Sequence, residues 1–305
     1  MARSRACLNL PSFLIGLPEF MRLALFLCLL VCLVSCSDSR NDIGIPSFVV
    51  ADQVELTTTI AQGSNSHGIS ELWYYIDGDI TGVLDLPSHL PVLKEGMHNV
   101  TVFAGIKNNG MGTSRIRYPF YTAYDTSIYF TKGESFHIQP QFEYLNNTQV
   151  DATRNFEAGN PFLEATGNGG TVELLNVPDL AASGVRCVKM ELPADATLLS
   201  FVDETNVSLT SGDVAFLELD YSCNNTFVLG LYVVTGGTSQ KQSVLYLTPT
   251  NDGDGSVPTW NKVYMDLGMV ASQYPSADYY RLFVECTRDE ASVPAIYLDD
   301  IKVVK

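Results

Sequence analysis

The sequence predicts an all-β chain built as two successive β-sandwiches, and three observations carry that prediction. Aromatic and β-branched residues come in short runs broken by Gly, Asn, Asp and Pro. Apolar and polar residues alternate within the clearest of these runs, and helical periodicity is missing from the chain after its first 42 residues.

The first element is not part of a sandwich. Arg22 precedes Leu23 to Val34, twelve residues (LALFLCLLVCLV) with no charge until Asp38. Nothing in that run is costly to desolvate, yet it is too short to span, because a transmembrane helix takes roughly 20 apolar residues. A positive flank, ~7 to 15 apolar residues and then small residues mark a signal peptide instead. Leu33-Val34-Ser35-Cys36 resembles the lipobox of bacterial lipoprotein precursors, which implies cleavage before Cys36 and lipid on its thiol. Residues 1–35 are therefore read as a leader, Cys36 as the lipidation site and residues 36–45 as a tether. The resemblance implies an outer-membrane lipoprotein, periplasmic or surface-exposed.

The leader carries three of the 18 Lys and Arg and one of the 34 Asp and Glu, so the mature chain holds 15 against 33, a formal charge of −18. Such a surface repels polyanions, and no Lys/Arg cluster exists to release counterions from phosphate, which excludes nucleic acid as a partner. Of seven cysteines, only Cys187, Cys223 and Cys286 remain for the fold. Three thiols permit one disulfide plus a free thiol or three buried free thiols, and their spacing fits no zinc site.

Residues 46–148 form the first block. Ile69 to Ile76, the pair Asp77-Gly78 and Gly82 to Leu86 read as two strands around a tight turn. Val100 to Phe103 leads through Gly105 to a second turn at Asn109-Gly110, and another strand is expected around Tyr118 to Tyr124. Short strands at this spacing predict an N-terminal immunoglobulin-like β-sandwich. The polar stretch Asn146 to Arg154 marks the boundary, and residues 149–305 form the second block. In Phe216 to Tyr221, Leu217, Leu219 and Tyr221 share one face while Glu218 and Asp220 take the other. Thr226 to Val234, Ser243 to Thr248, Asn261 to Leu267, Tyr280 to Cys286 and Ala295 to Val304 each fit a strand, and seven or eight strands imply a second sandwich.

The second block also carries a family likeness: Asn155-Phe156-Glu157 at its opening, Trp260-Asn261-Lys262-Val263 midway and Ile296-Tyr297-Leu298-Asp299-Asp300-Ile301 near its close. These resemble the carbohydrate-binding-module and galactose-binding-like proteins, which implies a jelly-roll β-sandwich and glycan as ligand. The same resemblance implies a structural calcium ion held by Glu157 and Asp299, since oxygen ligands suit a hard cation. Asp299 and Asp300 could equally end a strand at the solvent. The first block, with Trp73-Tyr74-Tyr75-Ile76-Asp77 and Gly105-Ile106-Lys107-Asn108-Asn109-Gly110, resembles a domain of Bacteroidetes-type lipoproteins that brings no activity with it.

No catalytic constellation emerges. There is no G-x-S-x-G, H-E-x-x-H, P-loop or G-x-G-x-x-G, and His67, His89, His98 and His137 are scattered among turns where surface roles are expected. A glycosidase needs two acids about 5 to 10 Å apart across a cleft, but pairs such as Asp203 and Glu204 or Asp252 and Asp254 fall in turn-like sequence. Sugar-binding proteins stack a pyranose on an outward aromatic ring. By alternation Tyr232, Tyr246 and Tyr264 point away from their apolar neighbours and are the candidate platform on one sheet. The expectation is a non-enzyme that binds glycan; the alternatives are a subunit docking other envelope proteins and, more weakly, a polysaccharide hydrolase.

Overall fold

The computed structural model describes residues 44–158, 163–165, 169–250, 257–289 and 293–305. Cys36, the leader and the turn at residues 251–255 lie outside the described residues. In chain order the first block holds β1 (Ser47–Ala51), β2 (Glu55–Thr57), β3 (Ile69–Ile76), β4 (Asp79–Asp85), β5 (Ser88–Val92), β6 (Gly96–Lys107), β7 (Arg115–Arg117), β8 (Tyr124–Phe130), β9 (Ser135–His137) and β10 (Gln141–Glu143). The second holds β11 (Val150–Arg154), β12 (Leu163–Ala165), β13 (Thr171–Asn176), β14 (Arg186–Glu191), β15 (Leu198–Asp203), β16 (Phe216–Cys223), β17 (Phe227–Thr235), β18 (Thr238–Leu247), β19 (Asn261–Asp266), helix α1 (Leu267–Gln273), β20 (Tyr279–Thr287) and β21 (Ala295–Val304).

The chain is all-β in class, as its patterning predicts. In the first sandwich one sheet runs β4-β3-β6-β7, with β8 also on β6, and faces β5-β1-β9 and the pair β10-β2. Tyr74 and Leu72 from β3 meet Val49 of β1 and Leu90 of β5 in its core. The hairpin expected at Asp77-Gly78 is present, with Ile76 paired to Asp79. The strand expected around Tyr118 to Tyr124 is not: the chain leaves the sheet after β7 and rejoins it at Tyr124. Tyr118, Phe120 and Tyr121 are buried in between, because their apolar partners lie on the other sandwich.

The second sandwich packs β13-β14-β21-β16-β19, with β11 on β21, against β12-β15-β20-β17-β18. Leu217 and Leu219 of β16 meet Leu229 and Leu231 of β17 and Val284 of β20 between the sheets. These eleven strands exceed the seven or eight expected, since edge strands such as β13 (TVELLN) are short and mixed in polarity. The strand read as Asn261 to Leu267 stops at Asp266, whose Oδ1 accepts the Met269 N–H at 2.9 Å and caps α1. Seven residues are too few to show a helical period in sequence.

Alternation in β16 is as read, but its polar face does not meet water. Glu218 is 0% exposed and Asp220 3%, because the first sandwich lies over them. Tyr118 Oη donates to Glu218 Oε1 at 2.7 Å, and Tyr144 Oη donates to Oε2 at 2.9 Å. Ser66 Oγ donates to Asp220 Oδ1 at 2.7 Å, and Lys262 Nζ donates to Oδ2 at 3.1 Å. Phe216, Tyr264 and Val304 join the apolar core of the first sandwich, so Pro46–Lys305 is one compact unit.

Beside β16 in the same sheet, β21 carries a bulge. Glu218 pairs with Lys302 and Asp220 with Asp299, so three steps on β21 oppose two on β16, and Asp300 takes φ 44°. The extra residue turns both Leu298 and Ile301 into the core and buries Lys302 on the other side. Lys302 Nζ donates to Ser64 O at 2.5 Å and lies 5.7 Å from the Tyr144 ring centroid.

Burial first, and then Lys262, push the Lys302 ammonium down to about 8, against the opposite pull of Glu218, Asp300 and Asp220. An unfolded lysine holds its proton to about 10.4, so between those values the unfolded chain binds more protons and stability rises with pH. That contribution is lost as pH falls through about 8. Relative to Lys302→Met, the wild type should therefore gain on the order of 1–3 kcal/mol between pH 7.5 and 10 in urea unfolding. A difference that does not change with pH would contradict this assignment.

Candidate functional site

The seam between the sandwiches is built by backbone as much as by side chains. After β6 the chain turns at Asn109 and Gly110 (φ 53° and 69°) and lies against β19. The Asn109 N–H donates to Tyr264 O at 2.9 Å, and the Asp266 N–H donates to Asn109 Oδ1 at 2.8 Å. A Cβ on Gly110 would stand 3.3 Å from Val263 Cγ2, and one on Gly68 would stand 3.0 Å from the Tyr264 ring. Glycine at both positions lets the two sandwiches approach this closely. The Gly68 N–H donates to Tyr264 Oη at 2.9 Å and fixes the far side.

Beside the seam opens a cleft of about 350 Å³. Lys107, Asn109 and Met111 line it from the first sandwich, and Tyr221, Tyr246 and Asn261 from the second. That size falls within the range of small-molecule sites. Tyr246 is 71% exposed, an outward ring between the core residues Leu245 and Leu247. Asn261 Nδ2 donates to Tyr221 Oη at 3.3 Å, which orients the amide at the cleft wall. Among the described residues the lining contains no Asp or Glu, so it offers no pair of acids for glycoside hydrolysis. What it offers is an apolar ring face beside amide, hydroxyl and backbone groups.

The three tyrosines expected to share a sheet do not. Tyr264 is on β19 in one sheet, while Tyr232 on β17 and Tyr246 on β18 belong to the other. Tyr264 is 1% exposed and packs 5.0 Å from Tyr118. It borders the cleft as wall, and its outward direction leads under the first sandwich instead of into solvent. Tyr232 is half-buried against Phe283, with ring centroids 5.3 Å apart, and does not line the cleft. Only Tyr246 stands exposed in it. Sequence reasoning missed Lys107, Asn109, Tyr221 and Asn261 as a group, because their convergence depends on how the sandwiches dock. The Lys107 to Gly110 turn was legible, and so was the strand after Asn261, but not that the one rests on the other.

Other expected groups are settled by packing. Cys187, Cys223 and Cys286 are free and buried, and burial pushes their thiols up to about 12, 11 and 12. His67 departs from the surface role expected of it: burial, and then Lys262, lower its pKa, and its Nδ1 has no partner among the described residues. Trp260 packs near Tyr297 at 6.5 Å.

Glu157 and Asp299 grip one loop. Glu157 Oε1 accepts the N–H groups of Val185 and Arg186 at 2.8 and 2.9 Å, and Asp299 Oδ2 accepts those of Ala182 and Ser183 at 3.0 and 3.2 Å. The opening strand β11 lies beside the closing strand β21. Asp299 is 0% exposed, so the solvent-facing strand end left open by the sequence is not what forms. Burial, and then Asp300, push its carboxyl up to about 8. Asp299 Oδ1 also accepts the Asp300 N–H at 2.8 Å, so a calcium ion would need this carboxyl ionised and would share its oxygens with backbone donors. Among the described residues no three His, Cys, Asp or Glu side chains cluster as a metal site, so loop carbonyls would have to supply further ligands.

No known family profile matches the chain, and no curated protein matches it. Among solved structures it is similar to a carbohydrate-binding module of the β-sandwich superfamily with promiscuous specificity, at 13% identity and a TM-score of 0.38, covering 78% of this chain and 86% of that one. It is also similar to a family 61 module in complex with β-1,4-galactotriose, at 17% identity and a TM-score of 0.32, covering 50% and 94%. A family 29 module complexed with cellulohexaose matches at 10% identity and a TM-score of 0.34, covering 52% and 93%.

Tyr246 and Tyr264 should respond differently to truncation. Tyr246→Ala should leave stability within about 0.5 kcal/mol, whereas Tyr264→Ala, which empties a packed site and leaves the Gly68 N–H unpartnered, should cost about 3–5 kcal/mol. Denaturant midpoints measure both, and equal losses would contradict the assignment.

Proposed function

We propose that this chain is a non-catalytic, membrane-anchored envelope lipoprotein that holds glycan in the cleft between its two sandwiches. The observation that carries the reading is the exposed ring of Tyr246 set beside the Asn261 amide and the Asn109 turn in one recess. A pyranose presents CH groups on one face and hydroxyls around its rim, so an aromatic ring flanked by amides matches it without needing charge. The anchor rests on the lipobox-like Leu33-Val34-Ser35-Cys36 alone. An outer-membrane setting, facing periplasm or exterior, follows from that resemblance.

The mature chain from Cys36 should retain at least one plant, host or microbial glycan on an array, and Tyr246→Ala should lose at least tenfold in affinity while keeping its melting temperature. Retention of no glycan by the wild type retires the reading.

Calcium belongs to the same proposal. Glu157 and Asp299 would hold the ion, which would tie the opening turn of the second sandwich to its last strand through the loop at residues 182–186. Chelator should lower the melting temperature of the mature chain, and Glu157→Gln or Asp299→Asn should abolish that response. An unchanged melting curve in chelator removes calcium from the account.

A further inference from the structure

Resting on the glycan reading, we infer that the saccharide taken by the cleft is acidic, bearing uronate carboxylates, and that Lys107 of the first sandwich selects it. The chain has a formal charge of −16, with 34 Asp and Glu against 18 Lys and Arg. A surface drawn at random from it would carry about two acids for each base. The described lining of the cleft reverses that ratio, with Lys107 and Lys262 and no Asp or Glu.

The two lysines differ in what they can do. Lys262 is committed to Asp220 at 3.1 Å and its side chain is 3% exposed, so its charge is neutralised inside the seam. Lys107 ends β6 and is exposed at the cleft. Its cross-strand neighbour Arg115 is held by Glu71 and Asp85, so these carboxylates are occupied by the guanidinium. An ammonium can donate to a neutral sugar's hydroxyls, but the bond it makes to a carboxylate is charge-assisted and about twice as strong, so Lys107 favours an acidic sugar over its neutral counterpart. A uronate places its carboxylate at the ring edge and leaves the CH face free, so one sugar unit can stack on Tyr246 and reach a cation. The chain's overall negative charge repels polyanions, so attraction has to come from the cation at the cleft itself, which also sets register.

The test pairs oligogalacturonide with the same oligomer fully methyl-esterified, which removes charge and keeps the skeleton. By calorimetry the mature chain should bind the acid at least tenfold more tightly than the ester, and the gap should shrink between 50 and 500 mM salt. Lys107→Gln should close the gap by weakening the acid alone, with the melting temperature unchanged. Equal binding of acid and ester, or a gap that survives Lys107→Gln, overturns the inference and leaves the glycan reading standing. So does capture of neutral glycans with neither member of the pair bound. Capture of no glycan of any kind overturns both.

Discussion

The placement of one sandwich on the other depends on a carboxylate with no access to water. Glu218 sits in the middle of β16 with the first sandwich over it, and both its oxygens accept tyrosine hydroxyls. A buried ion without such partners costs several kcal/mol, while charge-assisted hydrogen bonds recover much of that. Burial, and then the Glu218 charge itself, drive the Tyr118 and Tyr144 hydroxyls well above the usual phenol range. They therefore stay protonated and keep donating. Because both donors come from the first block and the acceptor from the second, docking in another register would strand the acid.

The rest of the seam extends the same logic. Asp220 with Lys262 and Ser66, and Lys302 with Ser64, are further polar groups whose partners lie across the seam or beside it. Apolar packing of Phe216, Tyr264 and Val304 against the first core contributes burial that is indifferent to register. The polar contacts make the arrangement specific. The cleft is then a by-product of shape: the Asn109 turn rests on β19, and the recess beside it inherits a wall from each sandwich.

A second cluster lies next to the seam on the β14 side of the same sheet. Glu157 enters from the opening turn and Asp299 from the bulged closing strand, and both reach the backbone of residues 182–186. The bulge at Asp300 ties this cluster to the seam. It supplies the extra residue that lets β21 present Asp299 toward the loop and Lys302 toward the first sandwich.

Local features of the chain were legible because they depend on near neighbours. The hairpin at Asp77-Gly78, the face assignment in β16, the closing strand Ala295 to Val304 and the turn at Asn109-Gly110 follow from alternation and turn chemistry. The burial of Glu218 and Tyr264 did not follow. A period of two says which residues share a face and is silent on whether water or another sheet covers it. The sequence by itself determined an all-β chain, with its longer strands and several of its turns, since side-chain alternation is a property of the strand alone. Only the tertiary structure decided that Tyr264 becomes wall, Tyr246 stays open and Lys107 joins them from 139 residues upstream of Tyr246. That convergence is set by long-range packing between sandwiches, and no local period encodes it.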